Sequence, residues 1–335
     1  MFGRPSPRCD FPSTIATSVG GGGRDRARSL PCTRGFNHLV AGAQFAHRFQ
    51  RWPLPVSDPH ALINDYIFNR MIDPAWTRLE HAMVDKATAK LEAARLAPGL
   101  EAPRTVAVIP MEGLACAEAL YQALEPFAGL PAIAKPAHAS GSVVMLRDLR
   151  SARQLEALFA LSVMDYSLVL REMQYHGLCK QIIVEMLVDT ASGQSPDDYK
   201  FHCVDGVPIV CQVDHSRFGS PWSRLLRLPD LEPFDPADGL AWPSTYRRPA
   251  PERIASMIRA ARALSEPFQF VRVDLYDGSD CIFFGELTFS PAAALGIAPS
   301  AQGDHAVNPT HIAYSNAMMS ALRGVASPAS RTVSP

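Results

Sequence analysis

Hydrophobic positions recur with a helical period through the first ordered stretch of the chain and with a period of two near its end. A helix is predicted through Ala61–Ile72, after a start signal at Ser57-Asp58-Pro59. A second helix is predicted from Trp76 to about Leu96, with Leu79, Met83, Ala87 and Leu91 on one face. A short strand over Thr105–Ile109 and a helix over Leu114–Phe127 follow. Ala132–Lys135 reads as a strand ending in a small-residue turn, His138–Ser142. Ser142–Leu146 is its returning strand, and Gln154–Leu161 reads as a helix. Gln181–Val188 is an apolar strand with one discordant residue, Glu185. Tyr199–Val204 and Val207–Val213 pair around Asp205-Gly206, a hairpin turn signal. The Pro-rich stretch 220–251 reads as an irregular cover, and Pro251–Ala263 and His311–Leu322 as helices.

The most informative alternation is the last hairpin. Phe270, Arg272, Asp274 and Tyr276 share one face of its first strand, and Val271, Val273 and Leu275 the other. Asp277-Gly278-Ser279-Asp280 is turn chemistry. The return strand puts Ile282, Phe284, Glu286 and Thr288 on one face, so Asp274 and Glu286 fall on the same side. Two carboxylates and an arginine on an apolar hairpin are costly to bury unless paired or bound. A divalent metal carrying a polyphosphate meets that need. A structural Arg–Asp pair beside a surface Glu meets it equally.

Composition narrows the class. A chain of 335 residues that is 47% hydrophobic can bury one large core or two modest ones. A net charge of −1 supplies no field toward nucleic acid or an anionic membrane, and no apolar run is long enough to span a bilayer. Seven cysteines without a CxxC pair read as reduced thiols of a cytosolic protein, not a zinc site. Residues 1–55, with Gly20–Gly23 and many Arg and Ser, are expected to be a disordered leader. The remainder divides into a helical N-terminal region (56–105), a lid-and-hinge subdomain (106–190), a metal-bearing subdomain (191–324) and a loose tail (325–335). Mixed helices and antiparallel hairpins make the fold class α+β.

Three further segments carry potential chemistry. Lys135 precedes the His138–Ser142 turn, whose backbone N–H groups can close over anionic oxygens, although a solvated hairpin has the same composition. The Walker spacing is absent. The strand Gln181–Val188 can present its backbone to a purine, or simply be core. Val84-Asp-Lys-Ala-Thr-Ala-Lys90 reads as an exposed helical segment.

The order of these segments resembles the ATP-grasp superfamily, which includes D-alanine–D-alanine ligase. More closely it is similar to the TupA-like ATP-grasp family, over about residues 60–292. The resemblance is carried by Pro131–Ser142, Leu170–Tyr175, Ile182–Glu185, Asp197–Cys203, Val213-Asp214 with Arg217, Phe270–Tyr276 and Gly285–Phe289. It implies an ATP-grasp fold with two α+β subdomains gripping ATP. Lys86 and Lys135 are then phosphate contacts, His138, Ser140, Gly141 and Ser142 the lid, and Glu185, Met186, Leu187 and Val188 the adenine-facing strand. Asp274, Glu286 and Thr288 are implied Mg²⁺ ligands, and Arg272, Lys200 and Arg217 active-site cations. Ala139 stands where the family usually has Gly.

The implied reaction is ATP-dependent joining of a carboxylate to an amine through an acyl-phosphate. The carboxylate would be small or sugar-linked and the amine an amino acid, in cell-surface polysaccharide or teichuronopeptide synthesis. A phosphotransferase of the same fold and a non-catalytic nucleotide-binding protein are the competing readings. Neither nucleic acid nor an integral membrane segment is expected.

Overall fold

The computed structural model describes residues 30–190, 195–216, 220–303 and 305–324. Four strands form one sheet: β1 (Thr105–Pro110), β2 (Ala132–Pro136), β3 (Val144–Met145) and β4 (Gln181–Met186), in the order β1-β4-β2-β3. Six form a second: β5 (Asp198–Val204), β6 (Val207–His215), β7 (Trp222–Arg227), β8 (Glu232–Pro233), β9 (Phe270–Asp277) and β10 (Ile282–Thr288). Their order is β10-β9-β5-β6-β7-β8, and every neighbouring pair in both sheets is antiparallel. The helices are α1 (Arg34–Phe49), α2 (Ile63–Met71), α3 (Arg78–Val84), α4 (Ala89–Leu96), α5 (Ala117–Leu124), α6 (Glu156–Val163), α7 (Ser167–Leu170), α8 (Pro251–Ser265) and α9 (Pro309–Leu322).

Strand alternation divides the six-stranded sheet into two unlike faces. Tyr199, Phe201, Val213, Val273 and Leu275 point to one side, where Ile254, Met257, Ala261 and Leu264 of α8 and the apolar residues of α3 and α4 complete a core. On the other side Val204, Val210, Leu225 and Phe270 pack under α1, α2 and α9. Toward the opposite end of that second face, charged side chains replace the apolar ones: Asp198, Lys200, Asp214, Arg272 and Asp274. A third core joins the four-stranded sheet to α5 and α6 through Leu120, Leu124, Ala134, Leu158 and Val184. Among the described residues, no helix is long and apolar enough to cross a membrane.

The structure corrects several expectations. Part of the expected leader is ordered: Arg34–Phe49 is a helix that buries Asn37, Ala41, Gly42 and Phe45. That buried face is made largely of small and polar residues, which hides its period. Phe45 stacks edge-on against Phe68 at 5.2 Å, and the Asn37 amide donates to Ile72 O at 2.9 Å. Residues 1–29 and 325–335 lie outside the described residues. The helix expected over Trp76–Leu96 is two helices, broken at Asp85–Thr88, and Leu91 is 66% exposed instead of facing a core. The Pro-rich cover contains β7 and β8, which extend the sheet. Its far end is held by a bidentate buried pair, Arg224 to Asp238, at 2.7 Å on both arms. The returning strand after the small-residue turn is only two residues long and passes into a 3₁₀ turn, Leu146–Asp148.

The final hairpin differs in one telling detail. The register pairs Phe284 with Leu275 but Glu286 with Asp274, so Gly285 is an extra residue bulged out of the ladder. Phe284 therefore enters the core while Glu286 and Thr288 face the charged side, and the four residues expected on one face are split two and two. Ile282 packs against the same core as Phe284. The bulge needs glycine because a Cβ there would lie 2.9 Å from Asp274 O and 3.1 Å from Tyr276 Cζ. Gly285→Ala is expected to lower stability by about 1–3 kcal/mol, the usual range for overpacking. Urea denaturation checks this; an unchanged midpoint would show that the bulge relaxes freely.

Candidate functional site

Lys86 is positioned by the break in the helical segment. Asp85 leaves α3 with extended backbone (φ −73°, ψ 109°), and the next residue donates its backbone N–H to Ala137 O at 3.1 Å. Its ammonium reaches Ala139 O at 3.0 Å and lies 3.6 Å from Glu286 Oε2. One lysine thus touches both the small-residue turn and the carboxylate hairpin. Burial lowers its pKa, and Glu286 opposes the shift.

The second lysine, Lys135 at the end of β2, is 2.8 Å from Glu185 Oε1. Lys90, whose place in the sequence gives no sign of a site residue, takes the other oxygen at 2.6 Å and also donates to Thr105 Oγ1 at 2.8 Å and to Pro103 O. Burial would raise the Glu185 carboxyl, but Lys135 and Lys90 outweigh it and hold it below its ordinary value. Glu185 is therefore a buried clamp between two cations. The next three residues, Met186, Leu187 and Val188, line the adjoining cleft with apolar surface, together with Pro103 and Ile133.

The turn after Lys135 divides by role. His138 is 3% exposed, and its Nδ1 accepts from the Gln181 N–H at 3.1 Å, so it pins the turn to β4 and does not line the cleft. Ser140 and Gly141 do line it. The left-handed residues are Gly141 (φ 94°) and Ser142 (φ 38°), not Ala139, so alanine costs nothing in backbone strain at its position.

Across the cleft, Asp274 and Glu286 are direct cross-strand partners, as are Asp274 and Lys200. Asp274 is 1% exposed; Arg272 donates to both of its oxygens at 2.7 Å, and Lys200 to one of them at 3.0 Å. Lys200 also contacts Asp198 and lies 3.6 Å from Asp214. Burial disfavours its charge, but Asp198 and Asp274 raise its pKa above the ordinary lysine value. Asp198 is pushed up to about 6 by burial, against the pull of Lys200 and with further push from Asp274 and Asp214. Glu286 is more open. Burial acts to raise it, but Lys86 and then Arg272 hold it down at about 2. The Thr288 hydroxyl accepts from Arg272 Nη2 at 3.1 Å. Arg217 lies outside the described residues.

One cleft is lined by the polar side chains of Lys86, Lys135, Ser140, Glu185, Asp198 and Glu286 and by the apolar ones of Met186, Leu187 and Val188, whereas Asp274, Arg272, Lys200 and Thr288 stand behind this lining. Among the described residues no group of three or more His, Cys, Asp or Glu side chains is arranged to hold a metal alone. Two hard carboxylates with open coordination left to phosphate oxygens and water is the pattern Mg²⁺ favours. Glu286 fits that role well, being ionised and a third exposed. Asp274 is 1% exposed and already accepts three hydrogen bonds from Arg272 and Lys200, which leaves about one of its roughly four lone-pair sites for a metal.

Glu172 lies within Leu170–Tyr175, yet no local pattern marks it as special. It is 4% exposed and accepts from Ser290 Oγ at 2.6 Å. Burial raises its pKa from 4.5 to about 7, against hydrogen bonds from Ser290, Tyr166 and Gln174 and the charge of Lys86. The folded pKa lies above the unfolded one, so wild type loses stability relative to Glu172→Gln as pH rises from about 4.5 to about 7. The loss across that window is on the order of 3 kcal/mol. Urea midpoints of both proteins at pH 4.5, 6 and 8 check this, and a constant offset would contradict it.

Two antiparallel sheets of this topology, with a cleft that joins lysines, a Ser/Gly turn and an acidic hairpin, define an ATP-grasp protein. Within that class, the chain belongs to the TupA-like ATP-grasp family, whose family model matches residues 131–302, half of the chain. No curated protein matches it. Among solved structures it is similar to the ATP-grasp ligase PsnB complexed with minimal precursor, at 15% identity over 74% of this chain and 62% of that one, TM-score 0.35. VanG D-Ala:D-Ser ligase from Enterococcus faecalis gives 15%, 73%, 62% and 0.40. D-alanine–D-alanine ligase from Bacillus anthracis complexed with ATP gives 14%, 62%, 54% and 0.35. The chain spans less than two thirds of the length of each of these proteins.

Proposed function

We propose that the protein is an ATP-dependent carboxylate–amine ligase. The carrying observation is the convergence of Lys86, Lys135, Ser140 and Gly141 with Glu286 of the carboxylate hairpin around one cleft that Met186, Leu187 and Val188 also line. The purine lies along Met186–Val188, and the triphosphate runs toward Lys86 and Lys135. The two sheets act as the two jaws. Asp274 and Glu286 would hold Mg²⁺, which would supply neutralisation of phosphate charge. Arg272, fixed in direction by Asp274 and Thr288, faces the charge that builds as phosphoryl transfers to the substrate carboxylate. Lys200 keeps Asp274 and Asp198 in place. An amine then attacks the acyl-phosphate carbon: the C–N bond forms, the C–O bond to phosphate breaks, and phosphate departs. No nucleophilic side chain is needed, because the chain supplies position and charge.

The substrates follow from family resemblance: a small or sugar-linked carboxylate and an amino-acid amine, used in the cytoplasm for cell-surface polysaccharide or teichuronopeptide-type synthesis. The test is hydroxylamine trapping with MgATP and a panel of uronic acids and amino acids. A ligase yields a hydroxamate and ADP in equal amounts. ADP with a stable phosphate ester and no hydroxamate would instead indicate phosphotransfer, and nucleotide binding without ADP a non-catalytic protein.

A further inference from the structure

Glu172 lines no part of the cleft, yet a carboxyl buried to 4% exposure needs strong compensation to persist where an apolar residue would be cheaper. Its partners lie on two sides. On one, Ser290 Oγ donates to Oε1 at 2.6 Å, and the Gln174 amide donates to that same oxygen at 3.5 Å and also to Ser290 Oγ. Gln174 and Ser290 are themselves 1% and 2% exposed. On the other side, the Tyr166 hydroxyl lies near enough to Glu172 and to Ser140 of the small-residue turn for each to act on it electrostatically.

What those two sides lead to gives the network its meaning. Ser140 lines the cleft beside Lys86 and Lys135. Ser290 lies two residues beyond Thr288, at the exit of β10. Beyond it Ala292, Ala293 and Ala294 adopt left-handed backbone (φ 50°, 50° and 66°), a conformation that non-glycine residues hold only when their surroundings over-determine it. Asn64 fixes the far end through Ala294 O at 2.8 Å and Gly296 O at 2.9 Å. Glu172 fixes the near end. Apart from Gln174 Oε1, which is buried without a partner, the polar groups on the Ser290 side are paired, and a buried polar network rigidifies what it joins.

We propose that Glu172 is a positioning residue that couples the Ser140 turn to the exit of the carboxylate hairpin, so that the two walls of the phosphate end set each other's geometry. Its consequence for turnover rests on the nucleotide reading above; the coupling itself can be measured without nucleotide. Neither Tyr166 nor Ser290 is a proposed substrate contact, so each link can be cut separately.

The experiment is amide hydrogen exchange on the full chain, comparing wild type, Tyr166→Phe, Ser290→Ala and Glu172→Ala. Coupling predicts that Tyr166→Phe raises exchange at 288–296 as well as at 138–145, and that Ser290→Ala raises it at 138–145 as well as at 288–296. Each effect should be roughly fivefold or more, the lower end of typical site-to-site coupling. Changes confined to the mutated side in both variants would overturn the proposal. Should Glu172→Ala not fold, the two single-link variants still decide. In turnover, Glu172→Ala is expected to lower kcat on the order of 10²-fold, as displaced catalytic geometry does, with KM for ATP little changed. Fully retained kcat in folded Glu172→Ala would also overturn it. Two-sided exchange in a protein that turns over no substrate would sink the ligase reading and leave the coupling standing.

Discussion

Glu286→Gln and Asp274→Asn are each expected to abolish ADP release while leaving a folded protein. The two carboxylates are direct cross-strand partners, brought together by the bulge at Gly285. Glu286 is the exposed member, kept ionised by Lys86 and Arg272 despite burial that favours its neutral form. Removing its charge takes away a metal ligand and leaves two cations without a counter-charge. Loss of one electrostatic group at a phosphoryl or acyl centre commonly costs about 10²–10³ in rate, and a lost metal ligand adds to that. Asparagine at 274 keeps an oxygen for Arg272, so the fold should survive better than with alanine. A coupled ADP assay at saturating MgATP, on protein with wild-type circular dichroism, gives the answer. Wild-type turnover in either variant would mean that the metal is held elsewhere.

Lys200→Met should act mainly on stability. Lys200 is 6% exposed and stands among Asp198, Asp214 and Asp274, two of which are themselves almost fully buried. Methionine preserves the volume but strands these carboxylates without their shared cation. Breaking a buried ion pair from one side typically costs about 3–5 kcal/mol, which for a chain of this size is a fall in melting temperature on the order of 10 °C. A purely substrate-contacting lysine would behave differently, with kcat falling at an unchanged melting temperature. That second outcome would return Lys200 to the role that the family resemblance implied.

The long alternating segments were legible in the sequence because a period of two leaves little choice of face. Asp205-Gly206, both left-handed at φ 46° and 75°, is the hairpin turn its dipeptide announced. Asp274 facing Glu286 was expected from hairpin parity, but strict alternation would have sent Glu286 to the core side with Phe284, and it is the bulge at Gly285 that brings the two carboxylates together. A bulge is a decision about backbone packing, set by a clash with Asp274 O that no pattern of side chains records. The break at Asp85–Thr88 was hidden because those residues tolerate a helix; tertiary bonds from Lys86 to Ala137 O and Ala139 O stop it instead. Helix α1 escaped because its buried face is marked by Asn37, Ala41 and Gly42, and only Phe45 is large and apolar. Lys90 looked like an exposed helical lysine until the fold brought Glu185 within 2.6 Å. Roles that depend on a partner far away in the chain are invisible to local period.

The most direct measurement is calorimetric titration of the full chain with a non-hydrolysable ATP analogue, with and without Mg²⁺, for wild type and Glu286→Gln. The account predicts one site per chain, tight binding only with Mg²⁺, and loss of that Mg²⁺ dependence in the variant. Absence of binding to wild type, or identical Mg²⁺-dependent binding in both proteins, would contradict it.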